Sequence, residues 1–111
     1  MKPQTNNYDE IMRRLEPLLI ERMKKRDWIL LEDPDKYDIW KKYKFWKSDF
    51  EITLVFYLGL DQNLVVSLEM INVRQEEKME EKINLGSSSD PRALITNFEK
   101  EFEKLIEESL M

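Results

Sequence analysis

The sequence predicts an α+β fold: an antiparallel sheet of four to five strands, with an N-terminal and a C-terminal helix packed on one face. Apolar residues recur at helical spacing near both ends of the chain and alternate with polar residues between them. Strands that follow one another between two helices favour an antiparallel sheet over alternating parallel units. The 111 residues match the usual size of one domain, and no repeat or linker divides them. We therefore expect one domain, residues 1–111.

The first helix is predicted to run from about Tyr8 to Arg26, with Asn7 as its N-cap. Because a proline cannot donate a hydrogen bond to the preceding turn, Pro17 is expected to cause a kink or a brief break near Glu16. Five apolar residues recur at helical spacing and are expected to be buried. They are Ile11, Leu15, Leu18, Leu19 and Met23.

The next three segments lead into the sheet. Asp27–Glu32 has the composition of a strand, and Glu32–Lys36 has that of a turn. Tyr37–Lys47 fits either a strand or a helix. We favour a strand, because aromatic residues with high β propensity dominate it.

Two alternating runs give the clearest strand pattern. Phe50–Leu58 and Leu64–Ile71 alternate apolar with polar residues and are joined by a short polar loop, which predicts an antiparallel hairpin. Arg74–Lys82 is highly charged and is expected to be a loop or a long hairpin tip. Lys82–Leu85 is expected to add a short edge strand.

The last helix follows a flexible connection, Gly86–Ser89. Asp90 is its predicted N-cap and Pro91 its first helical residue. A phosphate could bind at this N-terminus, but the phosphate-loop pattern is missing and the carboxylate of Asp90 would take the place of the anion. A capping loop is therefore favoured. The apolar stripe of this helix is Leu94, Ile95, Phe98, Phe102, Leu105, Ile106 and Leu110.

The composition excludes several kinds of chemistry. The chain has no Cys and no His, which removes disulfides, thiolate nucleophiles, imidazole bases and the usual zinc sites. Asp33–Lys44 begins like a calcium loop, but Asp38 replaces the required Gly and Lys44 the bidentate Glu. Glu76–Glu77 and Glu80–Glu81 are expected to lie on a charged loop or edge. We predict no catalytic residue, no metal and no cofactor, and hence a protein that is not an enzyme.

The net charge of −5 is unevenly distributed, because residues 1–47 sum to +3 and residues 48–111 to −8. Overall acidity argues against a general nucleic-acid-coating protein, since affinity for phosphates rises with each basic contact. The longest apolar run, Leu54–Leu60, is too short to span a bilayer, and the first seven residues have no apolar signal region. We predict a cytoplasmic protein without a membrane partner.

One segment combines aromatic and basic residues: residues 41–47 alone carry a charge of +4 within Trp40–Lys47. Three interpretations remain open. The segment could be a half-buried strand whose rings fill the core, a surface for a protein partner, or a surface on which single-stranded nucleic acid or a nucleotide stacks. The candidate partner-binding residues are Trp40, Lys42, Lys44, Trp46 and Tyr57.

If the helices cover the sheet face that bears Phe50 and Ile52, the opposite face is more apolar than a solvated face needs to be. It would display Val55, Tyr57, Val65 and Ile71 among Thr53, Ser67 and Glu69. Residues 27–47 could fold across it, or it could meet another protein or a copy of itself. We predict a protein-binding domain such as an adaptor, inhibitor or chaperone-like protein, with homodimerisation as a weaker hypothesis. The main alternative is a single-stranded nucleic-acid or nucleotide binder acting through residues 40–47.

Overall fold

The computed structural model describes residues 8–31, 35–37 and 40–109, with side chains described for 8–31 and 40–105. It confirms the predicted α+β fold, in which strands lie between two helices. The elements in chain order are α1 (Tyr8–Lys25), β1 (Ile29–Leu30), β2 (Asp35–Tyr37), β3 (Trp40–Lys47), β4 (Phe50–Leu58), β5 (Asn63–Asn72), β6 (Glu77–Ser87) and α2 (Pro91–Ser109).

The sheet has five positions, in the order β1-β3-β4-β5-β6, and all its strand pairs are antiparallel. The short strands β1 and β2 share the outermost position, because both pair with β3. From β3 to β6 the chain forms three successive hairpins. The predicted hairpin of Phe50–Leu58 and Leu64–Ile71 is confirmed as β4 and β5.

Both helices pack on the same face of the sheet, which we call the inner face; its opposite is the outer face. Alternation along each strand places one residue in two on the inner face. The helices bury their apolar stripes against these residues to form one core. The sheet contributes Tyr43, Phe45, Ile52, Leu54, Phe56, Leu58, Leu64, Val66, Leu68 and Leu85. The helices contribute Tyr8, Ile11, Met12, Leu15, Leu19, Met23, Leu94, Phe98, Phe102 and Leu105.

Most of the predicted helical stripes are therefore confirmed as core. Leu18 and Ile95 are partly buried, whereas Ile106 and Leu110 lie outside the described side chains. Asp90 caps α2, because its carboxylate accepts a hydrogen bond from the backbone N–H of Ala93 at 3.2 Å.

Polar contacts fix the helices against the sheet and each other. The hydroxyl of Tyr8 donates a 2.6 Å hydrogen bond to the carbonyl of Phe56 and so attaches the start of α1 to β4. Between the helices, Arg22 contacts Glu99 at 2.8 Å, and Arg26 contacts Glu103 at 2.7 Å. The two helices therefore pack side by side.

The chain remains helical through Pro17, so of the predicted kink or break near Glu16 the break does not occur. A proline inside a helix costs about 3 kcal/mol. Buried residues on both sides of it, among them Leu15 and Leu19, offset this cost through packing. The predicted cap, Asn7, lies outside the described residues.

The first strands differ from the prediction. Of the described residues 27–31, only Ile29 and Leu30 belong to a strand, because the chain turns at Asp27, which has a φ of 64°. Asp35 and Lys36, expected in a turn, belong to β2. Residues 32–34, and 38 and 39, lie outside the described residues. The predicted strand, rather than the alternative helix, is confirmed over Trp40–Lys47.

The largest difference concerns Arg74–Lys82, for which the sequence predicts a loop or a long hairpin tip. The chain turns over residues 73–76 and then forms an 11-residue strand, Glu77–Ser87. Its backbone pairs with β5 along its length. An edge strand tolerates charged side chains because solvent reaches them. The pairing of β5 with β6 shifts register between Leu64 and Val65. Leu85, near the end of β6, is buried beside this shift.

Candidate functional site

All five candidate partner-binding residues lie on the outer face. Four of them alternate along β3, and the fifth lies on the neighbouring strand β4, where Tyr57 is directly opposite Trp40. Their common face follows from the two-residue period of a strand and from the β3–β4 register. The five are Trp40, Lys42, Lys44, Trp46 and Tyr57.

The register from β3 to β6 arranges the outer face in four rows that cross the sheet. Each row holds one residue from each strand, in the order β3, β4, β5, β6. The rows are Trp46–Glu51–Ile71–Lys78, Lys44–Thr53–Glu69–Glu80, Lys42–Val55–Ser67–Lys82 and Trp40–Tyr57–Val65–Asn84. Both tryptophans, Tyr57, Val65 and Ile71 thus lie in the two end rows, and polar or charged residues dominate the two middle rows.

Neither helix covers the outer face, since both bury their stripes against the inner one. Trp46 is 42% exposed, and its neighbour in the register, Ile29, is 54% exposed. The suggestion that residues 27–47 fold across this face is wrong for the described part of that segment, because β1, β2 and β3 lie within the sheet. An apolar surface therefore remains uncovered within the described residues.

The aromatic residues of β3 divide between the two faces. Tyr43 and Phe45 are fully buried in the core, so the interpretation as a core strand accounts for these two rings. Trp40 and Trp46 lie on the outer face with Tyr57. The division follows from the two-residue period of a strand, which places alternate residues on opposite faces.

The four lysines of this segment also divide. Lys41 forms an ion pair with Glu16 of α1, and Lys47 lies 5.9 Å from the ring centre of Trp28, a core residue. Only Lys42 and Lys44 lie on the outer face. The charge of +4 predicted for the segment is therefore not presented on one surface.

Carboxylates balance the lysines of the outer face. Lys44 Nζ lies 3.5 Å from Glu51 Oε1, and Lys78 Nζ lies 3.0 Å from Glu69 Oε2. The hydrogen bond to Glu69 and the charges of Glu69 and Glu80 raise the pKa of Lys78. Across the four rows there are four lysines and three glutamates, so the face is close to neutral. The lysines are Lys42, Lys44, Lys78 and Lys82, and the glutamates are Glu51, Glu69 and Glu80.

A polar groove of about 320 Å³ separates α1 from β3. At its wall, Glu16 Oε1 accepts hydrogen bonds from Lys41 and, at 2.7 Å, from the hydroxyl of Tyr43. Burial and the bond to Glu16 strongly raise the pKa of Tyr43. A phenol that keeps its proton so firmly is a poor acid or base, so the cluster suits the attachment of α1 to the sheet. The groove is lined by Asp9, Met12, Arg13, Glu16, Pro17 and Lys41.

A second groove, of about 380 Å³, lies where the β4 and β5 ends meet the β5–β6 turn. Phe50, Met70 and Met79 supply its apolar part, and Phe50 is partly exposed. Its polar lining is Asn72, Gln75, Glu77 and Lys78. This groove was not predicted, because half of it belongs to β6, which the sequence did not reveal as a strand.

Neither metal ligands nor a membrane span emerge from the described residues. No group of three or more carboxylates among them could hold a metal ion. None of their helices is long and apolar enough to cross a membrane. The calcium-like segment Asp33–Lys44 lies partly outside the described residues.

Sequence reasoning also missed part of the outer face. Glu51, Lys78 and Lys82 belong to it, and Ile29 extends it beside Trp46. The alternation of β4 contained the signal for Glu51. No apolar alternation marks β6, so the two lysines could be placed only through the register with β5.

The chain was also compared with known proteins. No protein-family model, no curated protein and no solved structure matches it. No activity, ligand or partner therefore carries over from a relative.

Proposed function

We propose that this chain is a non-enzymatic protein-binding domain and that the outer face of its sheet is the binding surface. The observation that carries the proposal is the row of Trp40, Tyr57 and Val65 on a face that no described element covers. Trp46, Ile71 and Ile29 add a second apolar group at the other end of the face.

The residue types and the size of this face support a protein partner. Tryptophan and tyrosine are enriched at the centres of protein interfaces, because they offer a large contact area at a low entropic cost. Five strand positions and the eight residues of β3 give a face of about 24 Å by about 26 Å, or about 600 Å². A standard interface buries roughly 800 Å² of accessible surface per partner, which a corrugated face of this size can approach.

The charge of the face favours a protein partner over the alternative, single-stranded nucleic acid. A surface that tracks a phosphate backbone needs an excess of basic residues. The outer face carries four lysines against three glutamates across its four rows, an excess of a single positive charge, and Lys44 is already close to Glu51. Two further carboxylates, Glu69 and Glu80, follow in the same row. A phosphate that approaches these lysines would therefore also be repelled by the neighbouring carboxylates.

The residue types of the chain argue against catalysis. A nucleophile needs an adjacent base, and general acid–base catalysis needs groups that titrate near neutral pH. The chain has neither Cys nor His. The partly buried carboxylate contact between Glu16 and Tyr43 attaches a helix to the sheet.

Capture from a lysate of the native cells, with and without nuclease, tests this proposal. The wild type is compared with a face variant, Trp46→Ala combined with Tyr57→Ser. Leu60→Ala serves as the matched control, because Leu60 is a fully exposed apolar residue in the turn between β4 and β5.

We expect captured protein that survives nuclease, that the face variant loses and that the Leu60→Ala control keeps. Capture that disappears with nuclease would favour the nucleic-acid alternative. Capture that is identical for the wild type and the face variant would show that the outer face is not the binding surface.

A further inference from the structure

We propose that the partner of the outer face is a second copy of this chain, with the two copies packed face to face about a twofold axis along β4. This inference rests on the proposed function, because it names the occupant of the same face. It is carried by the unequal distribution of charge across the sheet. Lysines lie on β3, an uncharged stretch with Thr53 and Val55 lies on β4, and Glu69 lies on β5.

A half turn about an axis parallel to β4 leaves each row at the same position along the strands and reverses the order of the strands across the sheet. As a result, β3 of one copy lies over β5 of the other. Lys44 then faces Glu69 of the second copy, since both belong to the same row. In the next row Lys42 faces Ser67. In the end rows, Trp40 and Trp46 lie over apolar residues of β5 of the second copy.

The facing pair completes a network that already exists in part. Within one chain, Lys44 lies 3.5 Å from Glu51, and Glu69 lies 3.0 Å from Lys78. Contact between the two pairs gives four charges of alternating sign, in the order Glu51, Lys44, Glu69 of the second copy, Lys78 of the second copy. Each of the two central charges thus has an opposite charge on both sides, which compensates for the loss of water. The symmetry forms this network twice.

Two other twofold arrangements are less favourable. An axis across the strands would lay β3 on β3 and bring Lys42 over Lys44 of the second copy, twice in each dimer. An axis between β4 and β5 would bring Lys42 over Lys82. Like charges opposite each other in an interface oppose association. The axis along β4 avoids both contacts and brings together one pair of like charges, Glu51 and Glu51 of the second copy, each of which has Lys44 of its own chain 3.5 Å away.

The twist of the sheets does not remove the central pairs. Packed sheets cross at about 30°, and neighbouring strands lie about 4.8 Å apart. A residue one strand from the axis is therefore displaced along the strand by about 2.5 Å from the residue that it faces in the second copy. Residues on the same face of a strand are about 6.6 Å apart. The rows of Lys42 and Lys44 lie in the middle of the face and therefore keep their facing residues.

Association through a sheet edge is disfavoured. One edge of the sheet is β6, which carries several charged residues: Glu77, Lys78, Glu80, Glu81 and Lys82. The opposite edge is formed by β1 and β2, which are two and three residues long. Charged edges and very short edge strands hinder strand addition, so the outer face is favoured over the sheet edges for self-association.

Charge reversal and mixing test the arrangement. We expect sedimentation equilibrium to show a wild-type dimer, and Lys44→Glu or Glu69→Lys alone to weaken self-association by about 100-fold, because each reversal acts twice in a twofold interface. An equimolar mixture of the two variants restores opposite charges at both contacts, so it should form a heterodimer. The control mixture is Lys100→Glu with Glu101→Lys, which makes the same charge changes on α2.

Every outcome of this experiment decides the proposal. Monomeric variants, a dimeric mixture and control variants that dimerise alone support it. A wild type that stays monomeric at high micromolar concentration overturns it, as does a mixture that remains monomeric although both variants are folded by circular dichroism. If a reversal unfolds the chain, Lys44→Gln and Glu69→Gln replace the pair, and each should weaken self-association about tenfold.

The inference and the proposed function fail separately. A monomeric wild type that captures another protein through the outer face overturns the inference and leaves the proposed function standing. A dimer that captures no other protein supports the inference and limits the function of the face to self-recognition.

Discussion

The hydroxyl of Tyr43 on β3 donates a 2.7 Å hydrogen bond to Oε1 of Glu16 on α1, 27 residues earlier in the chain. The same oxygen accepts a hydrogen bond from Lys41. A second tyrosine, Tyr8, connects α1 to β4 through the carbonyl of Phe56. The start and the middle of α1 are therefore attached to the sheet through phenol groups that keep their protons.

We expect the free energy of unfolding to fall above about pH 10, the usual pKa of tyrosine. Burial raises the pKa of Tyr8 and of Tyr43 well above that value in the folded state. Below pH 10 both phenols are protonated in both states, whereas above it the unfolded chain alone releases these protons. Each phenol should then lower the stability by up to about 1.4 kcal/mol per pH unit.

Urea unfolding of the wild type and Tyr43→Phe at about pH 8 and about pH 11 checks this expectation. The variant should lose less stability between the two pH values, although it is less stable at pH 8 without the hydrogen bond to Glu16. An equal loss in both proteins would mean that the phenol of Tyr43 is not protected.

Removal of a core ring from α2 should destabilise the whole domain. Phe98 is fully buried, and its ring centre lies 6.0 Å from that of Phe56. Phe98→Ala should lower the free energy of unfolding by about 3–5 kcal/mol. Thr96→Ala, at an exposed position of the same helix, should change it by less than about 0.5 kcal/mol. Similar melting temperatures for both variants would show that α2 is peripheral.

The tryptophans should differ in access to a neutral quencher such as acrylamide. Trp28 is 5% exposed and Trp46 is 42% exposed. In variants that keep only one tryptophan, Trp46 should be quenched readily and Trp28 hardly at all. Quenching of Trp46 should decrease at protein concentrations where two copies associate. Blue-shifted, unquenched emission from Trp46 in dilute protein would contradict an open outer face.

A carboxylate in the row of Trp40 should prevent association without unfolding the chain. Tyr57 lies on β4, next to the proposed axis, so Tyr57→Glu places two negative charges near each other in a dimer. Sedimentation equilibrium should show a monomer with an unchanged melting temperature. A dimer of wild-type strength would place the contact elsewhere.

Binding of single-stranded oligonucleotides should be weak and should depend little on salt. For binding through residues 40–47, which place two lysines on the outer face, the log–log slope should not be steeper than about −1.4, from about −0.7 per phosphate. The double variant Lys42→Gln, Lys44→Gln should abolish this salt dependence. A steeper slope, measured by fluorescence anisotropy of a labelled oligonucleotide, would favour the nucleic-acid alternative.

The sequence predicted those parts of the fold in which pattern and environment agree. Phe50–Leu58 alternates because one face is buried and the other is not, and the same alternation placed Trp40 and Trp46 on the outer face. It failed for β6, where Glu77 and Glu81 occupy inner positions that remain exposed. There, backbone pairing with β5 decides the structure, and composition gives no sign of it.

The candidate site shows the same limit. Alternation grouped the residues of β3, but the distance between Tyr57 and Trp40 in sequence hides that they are direct neighbours. The facing of Lys44 and Glu69 across a dimer requires three strands in register. Such relationships depend on hairpin turns, whose lengths determine the register.

The succession of hairpins from β3 to β6 also bears on how quickly the chain can fold. Each strand pairs with the next one along the chain, and α2 follows β6 after a short turn, so these contacts close only small loops. Small loops lose little conformational entropy and form rapidly. The exception is α1, whose Tyr8 reaches Phe56 across 48 residues. We therefore expect docking of α1 to be the slowest step of folding, before which the inner-face residues that α1 covers stay exposed to water.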